Sequence, residues 1–314
     1  MALAFAESPG LPAQLWQLAV RTLTGAEIST AQLTRFARGS AANFLIESTG
    51  ESATPTFRLF HQALGDALAA ERGRSVSAEQ DEKALTGTFT GYGARIGWDH
   101  APTYLFRSLP GHAVRAGMID ALLADTGYVL RADLRRLVPA ADHANTPAGA
   151  RRARVLRLTP RAIPAEPPQR LALLSVTEAL DDLGTVFRRH RADAPYHGLW
   201  ANTPRRVERT ALEGHTGVVN GVCAVRVGDR ELLASAGGDG TVRIWDPATG
   251  APEHTLHGHI GGVWGVCAVR VGDRELLASA SDDRTVRIWD PATGATKRTL
   301  HGHIGGVWGV CAVR

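Results

Sequence analysis

Two sets of side chains in this chain have the composition of a hydrolase triad: His215, Ser235 and Asp239, and again His259, Ser279 and Asp283. A further combination, His257-Gly258-His259, has the His-x-His spacing of a zinc site. In a triad the imidazole takes the serine proton while the carboxylate holds the ring, and in a zinc site three or four N, S or O ligands converge on the metal. Neither chemistry fits. The two Ser/His/Asp sets are 44 residues apart at every member, and a catalytic set has no reason to recur. No Gly-x-Ser-x-Gly elbow surrounds either serine, and no carboxylate or cysteine cluster completes the histidine pair. No catalytic residue and no metal site is expected.

The remaining composition excludes other classes. Of the 35 basic residues only Lys83 and Lys297 are lysines, and neither follows a glycine. A Walker A loop requires that Gly-Lys pair so that backbone amides cradle the phosphates, so neither lysine sits in one. Cys223, Cys267 and Cys311 each occupy the same repeated position, which marks duplication; small buried strand residues are expected there. No cofactor is expected. No apolar run reaches the roughly 18–20 residues of a membrane helix, and MALAFAES lacks the basic start of a signal peptide, so a cytoplasmic protein is expected. Residues 1–213 carry 25 basic and 21 acidic side chains, and residues 214–314 carry 10 of each. The excess peaks at Arg151, Arg152, Arg154, Arg157 and Arg161. No aromatic interleaves there, so a solvated connector is expected in preference to a nucleic-acid surface.

The elements that must position the repeated polar groups follow from the repeat itself. Gly214, Gly258 and Gly302 open three copies of one 44-residue unit. Each full copy reads GH, VCAVRV, GDR, ELLASA, an Asp-containing turn, TVRIWD, PATG and a short last segment. These are four strand signals separated by turns, at the period of about 40–45 residues of one propeller blade. The full copies, 214–257 and 258–301, differ at nine positions. Six pairs, Thr216/Ile260, Val218/Gly262, Asn220/Trp264, Gly237/Ser281, Gly238/Asp282 and Gly240/Arg284, flank the first strand or the turn from second to third. In an antiparallel meander those connections share one end of the blade. The changes therefore define a candidate partner-binding rim, with Trp308 repeating Trp264 in the partial copy 302–314. Two blades and one strand fall short of the 4–8 blades of a closed ring. The apolar segment VWGVCAV would be an uncapped edge, so a fragment of a longer array is expected, with several chains sharing one ring as the alternative.

Before the repeat the pattern is mainly helical. LPAQLWQLAVRTLT places Leu11, Leu15, Leu18 and Ala19 on one helical stripe flanked by Trp16. Ser29-Thr30-Ala31-Gln32 and Ser77-Ala78-Glu79-Gln80 have the capping-box form, the first starting a helix that carries Leu33 and Phe36 inward. NFLIEST and TFRLF read as a hairpin about GESATP, and HQALGDALAAERG as a helix closing at Gly73. Pro102 and Pro110 are placed at helix starts. HANTPAGARRAR and TPRAIPAEPPQ break the pattern, and LALLSVTEALDDLGTVFRRH resumes as one helix.

The 44-residue unit resembles the WD40 repeat. That resemblance implies a blade held by a hydrogen-bonded tetrad: His215, Ser235, Asp239 and Trp245 in the first copy, and His259, Ser279, Asp283 and Trp289 in the second. ANFLIEST, TFRLFHQALGDAL, TYLFRSLPGHAVRAGMIDALLADTGYVLRAD and GLWANTPRRVERTALEGHTG precede it in this order. Over residues 10–210 they resemble the post-ATPase region of bacterial NACHT/STAND proteins with WD40 repeats. The implied fold is multidomain: a winged-helix-like domain over 1–73, a helical arm with linkers over 74–200, and incomplete all-β blades over 201–314. The implied role is a non-enzymatic sensor whose rim binds a protein partner, with oligomerisation left open. The chain departs from that family in lacking the P-loop ATPase module. The alternatives are a winged-helix DNA-binding regulator, whose second helix offers only Arg35 and Arg38 to a phosphate backbone, and part of an NTPase whose P-loop module lies elsewhere.

Overall fold

A computed structural model describes residues 2–8, 10–49, 55–190, 193–202, 204 and 206–312. The chain forms two compact units, one of residues 1–156 and 164–205, the other of residues 157–163 and 206–314.

The first unit begins with a short strand, β1 (Leu11–Pro12), and the helices α1 (Ala13–Thr24) and α2 (Thr30–Arg38). The strands β2 (Leu45–Thr49) and β3 (Pro55–Leu59) follow. β3 is central and pairs antiparallel with both others, in the order β1-β3-β2. Residues 50–54 of the expected turn lie outside the described residues. Leu11 is thus a strand residue and not part of the helical stripe. Gly10 makes this pairing fit, because at φ 128 a Cβ there would lie 2.7 Å from the Phe57 carbonyl oxygen. Trp16, read as flanking the stripe, is buried against Phe57 with ring centroids 5.4 Å apart. The Ser29 capping box forms: Gln32 N–H donates to Ser29 Oγ at 3.2 Å and Ser29 N–H to Gln32 Oε1 at 2.9 Å. Its helix buries Leu33 and Ala37, one turn apart, and leaves Phe36 exposed; the inward expectation for Phe36 fails because the buried stripe follows i, i+4.

Helices complete this unit: α3 (Gln62–Gly73), α4 (Ala78–Ile96), α5 (Thr103–Arg115), α6 (Ile119–Ala124), α7 (Thr126–Arg131), α8 (Leu134–Ala140), α9 (Pro147–Arg157) and α10 (Pro167–Leu180). α3 runs through Gly73 and is capped by Arg74 in right-handed helical conformation, so Gly73 is no left-handed stop. α4 starts from the second capping box and packs on α1 and α5. Pro110 lies inside α5, not at its start. The carbonyl it leaves without a helical donor, Phe106 O, accepts Asp133 N–H at 3.1 Å instead.

The arginine-rich connector is also helical. Thr146 accepts Gly149 N–H, Pro147 takes the first helical position, and Ala153, Val155 and Leu156 are buried, so α9 is a packed helix. The expected single helix from Leu171 to His190 ends at Leu180. Beyond it Glu178 accepts the N–H groups of Val186, Phe187 and Arg188 at 2.9, 2.9 and 3.1 Å, which turns the chain into a separate 3-10 turn at Phe187–Arg189. Among the described residues no helix is long and apolar enough to cross a membrane.

The second unit holds two four-stranded antiparallel meanders. The first is β4 (Val219–Val227), β5 (Arg230–Gly237), β6 (Val242–Trp245) and β7 (Pro252–Leu256); the second is β8 (Val263–Val271), β9 (Arg274–Ser281), β10 (Val286–Trp289) and β11 (Thr296–Leu300). Register sorts each sheet into two faces. Val266, Leu277, Ser279 and Trp289 share the front of the second sheet, while Val269, Leu276, Val286, Ile288 and Leu300 share its back. The back of the first sheet, including Val225, Leu232, Val242, Ile244 and Leu256, packs on the front of the second in one core. Residues 302–312 carry no strand, contrary to the expected edge strand. Val307 N–H nonetheless donates to Ser281 O at 2.9 Å and its side chain is buried.

Candidate functional site

The repeated polar groups converge inside each sheet. The β5–β6 and β9–β10 pairings bring the serine and tryptophan onto the front face, and the turns after β5 and β9 deliver the aspartate to the histidine. His215 Nδ1 lies 3.0 Å from both Asp239 carboxylate oxygens and its Nε2 2.8 Å from Ser235 Oγ, which accepts Trp245 Nε1–H at 2.8 Å. In the second blade His259 Nδ1 is 2.8 Å from Asp283 Oδ2 and Nε2 2.8 Å from Ser279 Oγ, which accepts Trp289 Nε1–H at 2.8 Å. One proton arrangement satisfies every member: indole to serine, serine to imidazole Nε2, and imidazole Nδ1–H to carboxylate.

Electrostatics agree with that arrangement. Burial opposes ionisation of Asp239, but donors on Thr216, Thr241 and His215 hold its carboxyl well below the usual range. Asp283 is held low against the same burial cost by Thr285, His259 and the Ile260 N–H. Burial pushes His259 down, and Asp283 only partly offsets it, so the neutral imidazole is favoured. Thr241 and Thr285 were not singled out from sequence. Their hydroxyls donate to Asp239 and Asp283 at 2.7 and 2.6 Å, and their signal was their place two residues after each aspartate.

This geometry has triad distances without triad chemistry. Ser235 and Ser279 are buried and their hydroxyls already take an indole N–H, so no substrate carbonyl reaches them. Both His259 nitrogens are spent within the tetrad, which leaves His257-Gly258-His259 no second ligand for a metal. The arrangement stabilises a blade and pins the loop that precedes its first strand to the turn after its second.

The candidate rim residues divide by environment. Thr216, Val218, Gly238, Ile260, Asp282 and Arg284 are exposed, Ile260 at 92%. Asn220 is engaged, donating from Nδ2 to Val263 O across the blades at 2.9 Å. Trp264 is half-buried with its ring centroid 4.9 Å from that of Trp308, so Trp308, 68% exposed, is the outward indole. Gly240 and Arg284 occupy the same turn position at φ 78 and 68, left-handed conformations that favour glycine.

The first unit contains a polar network that sequence patterns did not reveal. Buried His112 bridges Tyr104 Oη at 3.0 Å and Glu82 Oε2 at 2.7 Å, and Arg115 joins Glu82 at 2.5 Å to Glu7 at 2.9 Å. Burial pushes Tyr104 far up, so its phenol stays protonated, and the network reads as a clamp of α4 and α5 onto the N-terminal turn. Its members are separated by up to 108 positions, so no local spacing announces it.

The family model of the WD domain, G-beta repeat (WD40), matches residues 206–246 and 250–290. No curated protein matches the chain. Residues 206–290 are thus similar to WD40 repeats, and each match ends on the Trp-Asp pair that closes β6 or β10.

Proposed function

We propose that this chain is a non-catalytic protein-interaction module whose blade rim receives a protein partner. WD40 repeats typically mediate protein–protein interactions, which supports the coarse reading. The observation that carries it is that four of the six varying pairs, all but Asn220/Trp264 and the buried Gly237/Ser281, expose at least one member at one rim, sharpest at Arg284. A side chain in the left-handed region costs about 1–2 kcal/mol, and here arginine replaces the glycine of the equivalent turn. The exposed Ile260 and Trp308 supply apolar anchors.

The finer reading is the sensor portion of a cytoplasmic STAND-type regulator, with a winged-helix-like domain over 1–73, a helical arm over 74–200 and blades over 201–314. The order β1, α1, α2, β2, β3 with β3 central suits a winged helix. A DNA-binding use of that domain is the second reading, and the ion pair of Arg38 with Glu47 at 2.5 Å weighs against it by occupying one of the two arginines on α2.

The rim reading is tested with a photo-reactive residue at position 260, 284 or 308. All three should cross-link the same protein in cells, and Arg284→Glu should remove the adduct without lowering the melting temperature. Equal adduct yield from position 272, in the β8–β9 turn at the opposite end of the blade, would overturn it. A salt-dependent shift of duplex DNA by the full chain would favour the DNA-binding reading.

A further inference from the structure

Glu253 and Lys297 occupy the same position of the two blades, and this reversal of charge rearranges an ion pair. In the first blade Arg230, at the start of β5, is tied twice, with Nη2 3.3 Å from Asp246 Oδ2 and 3.0 Å from Glu253 Oε1. In the second blade Lys297 takes the aspartate instead, its Nζ 3.2 Å from Asp290 Oδ2, and the second carboxylate is gone. Arg274, the counterpart of Arg230, is exposed and makes no hydrogen bond or ion pair among the described residues; its charge reaches Asp290 only at longer range. It lines a groove of about 390 Å³ together with Arg226 from the end of β4 and Arg270 from the end of β8, at the end of the blades opposite the rim. Arg270 Nε donates only to Gly272 O, at 3.3 Å, and neither it nor Arg226 pairs through its guanidinium with a carboxylate among the described residues. Three acidic residues share the groove. Asp290 is matched by Lys297 and the Ala292 N–H, and Glu275 accepts the Arg226 backbone N–H at 2.7 Å. Three guanidinium groups thus remain against Asp273 and Glu275.

We infer that this groove binds a small phosphate-bearing ligand. Arginine forks match phosphate oxygens, and a tetrahedral dianion accepts hydrogen bonds from several sides at once, as donors on three separate strand ends require. A planar carboxylate offers only two oxygens in one plane. The groove falls within the roughly 300–1,000 Å³ of small-ligand clefts and exceeds what one phosphate fills. The ligand is therefore a diphosphate or a small organic phosphate whose body takes the remaining room. Lys297 acts through its neighbours: by holding Asp290 where the first blade has Asp246 free for arginine, it releases Arg274 to the ligand.

Calorimetric titration of the full chain with pyrophosphate and, separately, with phenyl phosphate tests this at low salt. At least one should bind saturably at one site per chain; tighter pyrophosphate binding points to a free diphosphate as ligand, and tighter phenyl phosphate binding to an organic phosphate. Arg274→Gln should weaken that binding about tenfold or more. Lys297→Glu restores the first blade's arrangement, so it should recapture Arg274 and weaken binding to a similar extent. Arg298→Glu makes the same change of charge one position along, outside the groove, and should cost clearly less. Arg284→Glu, on the rim, should leave phosphate binding unchanged, which separates this inference from the partner-binding reading. Melting curves without ligand check that each variant is folded. No saturable binding of either compound, unchanged affinity in Arg274→Gln, or an equal loss from Arg298→Glu and Lys297→Glu would each overturn it.

Discussion

The two blades share 35 of 44 residues and the same internal chemistry, yet identical side chains sit in different surroundings. The serine hydroxyl accepts the indole N–H at 2.8 Å in both. Ile244, by contrast, is sealed, whereas Ile288 is half-open; Leu256 is sealed and Leu300 exposed. What is held by groups within one meander is therefore duplicated with the sequence. What depends on the neighbouring sheet is not. The blade is a unit of hydrogen bonding but only half a unit of hydrophobic burial.

The largest expected effect tests the duplicated half. Trp289 belongs both to its tetrad and to the core between blades, so Trp289→Ala should cost about 3–5 kcal/mol in denaturant unfolding. Loss of less than about 1 kcal/mol would mean that the tetrad does not hold the blade. The next experiment sets the blades against each other directly. Ile244→Ala should cost about 2–5 kcal/mol and Ile288→Ala less than half of that, measured at low chain concentration. Equal costs would break the comparison, because they would require the same covering on both backs.

Acid should act on both blades through the shared tetrad. His259 binds its proton more weakly folded than unfolded, so its contribution is complete above the ordinary 6.5, starts to fall there and is lost as pH drops through its lower folded value. Asp239 and Asp283, held low in the fold, add a second loss that begins near about pH 4 and deepens below it. The melting temperature of the blades should accordingly fall in these two stages; a rise on acidification would contradict the tetrad electrostatics. The smallest effect concerns the bond between blades. Asn220→Ala removes the hydrogen bond to Val263 O and should cost about 1 kcal/mol, with the outer hairpins unaffected by hydrogen exchange.

Much of the blade region was legible because its signals are local and repeated. Turn residues, alternation and a fixed period place all eight strands, and the tetrad members follow once the unit is aligned with itself. The misreadings share a different physics. Pro110 looks like a helix start until Asp133 is seen to serve the carbonyl it frees. The arginine-rich stretch looks solvated until Ala153, Val155 and Leu156 are found packed beneath it. Phe36 and Trp16 exchange their expected roles because a helix's inward face is chosen by its neighbours, here α1 and β3, and not by its own stripe alone. The His112 network joins residues too distant in sequence for any motif to link.

By itself the sequence determined the period, the strand order within each blade, both capping boxes and the six positions at which the blade rim varies. Each depends on groups a few residues apart, or on comparison of one copy with the next. Only the tertiary structure decided that Asn220 is spent on the adjacent blade while Trp308 faces outward, that Arg284 accepts a glycine's conformation, and that equal side chains on the two backs are buried in one case and open in the other. Burial is a relation between surfaces, and a repeat with identical residues carries no record of which copy has a neighbour.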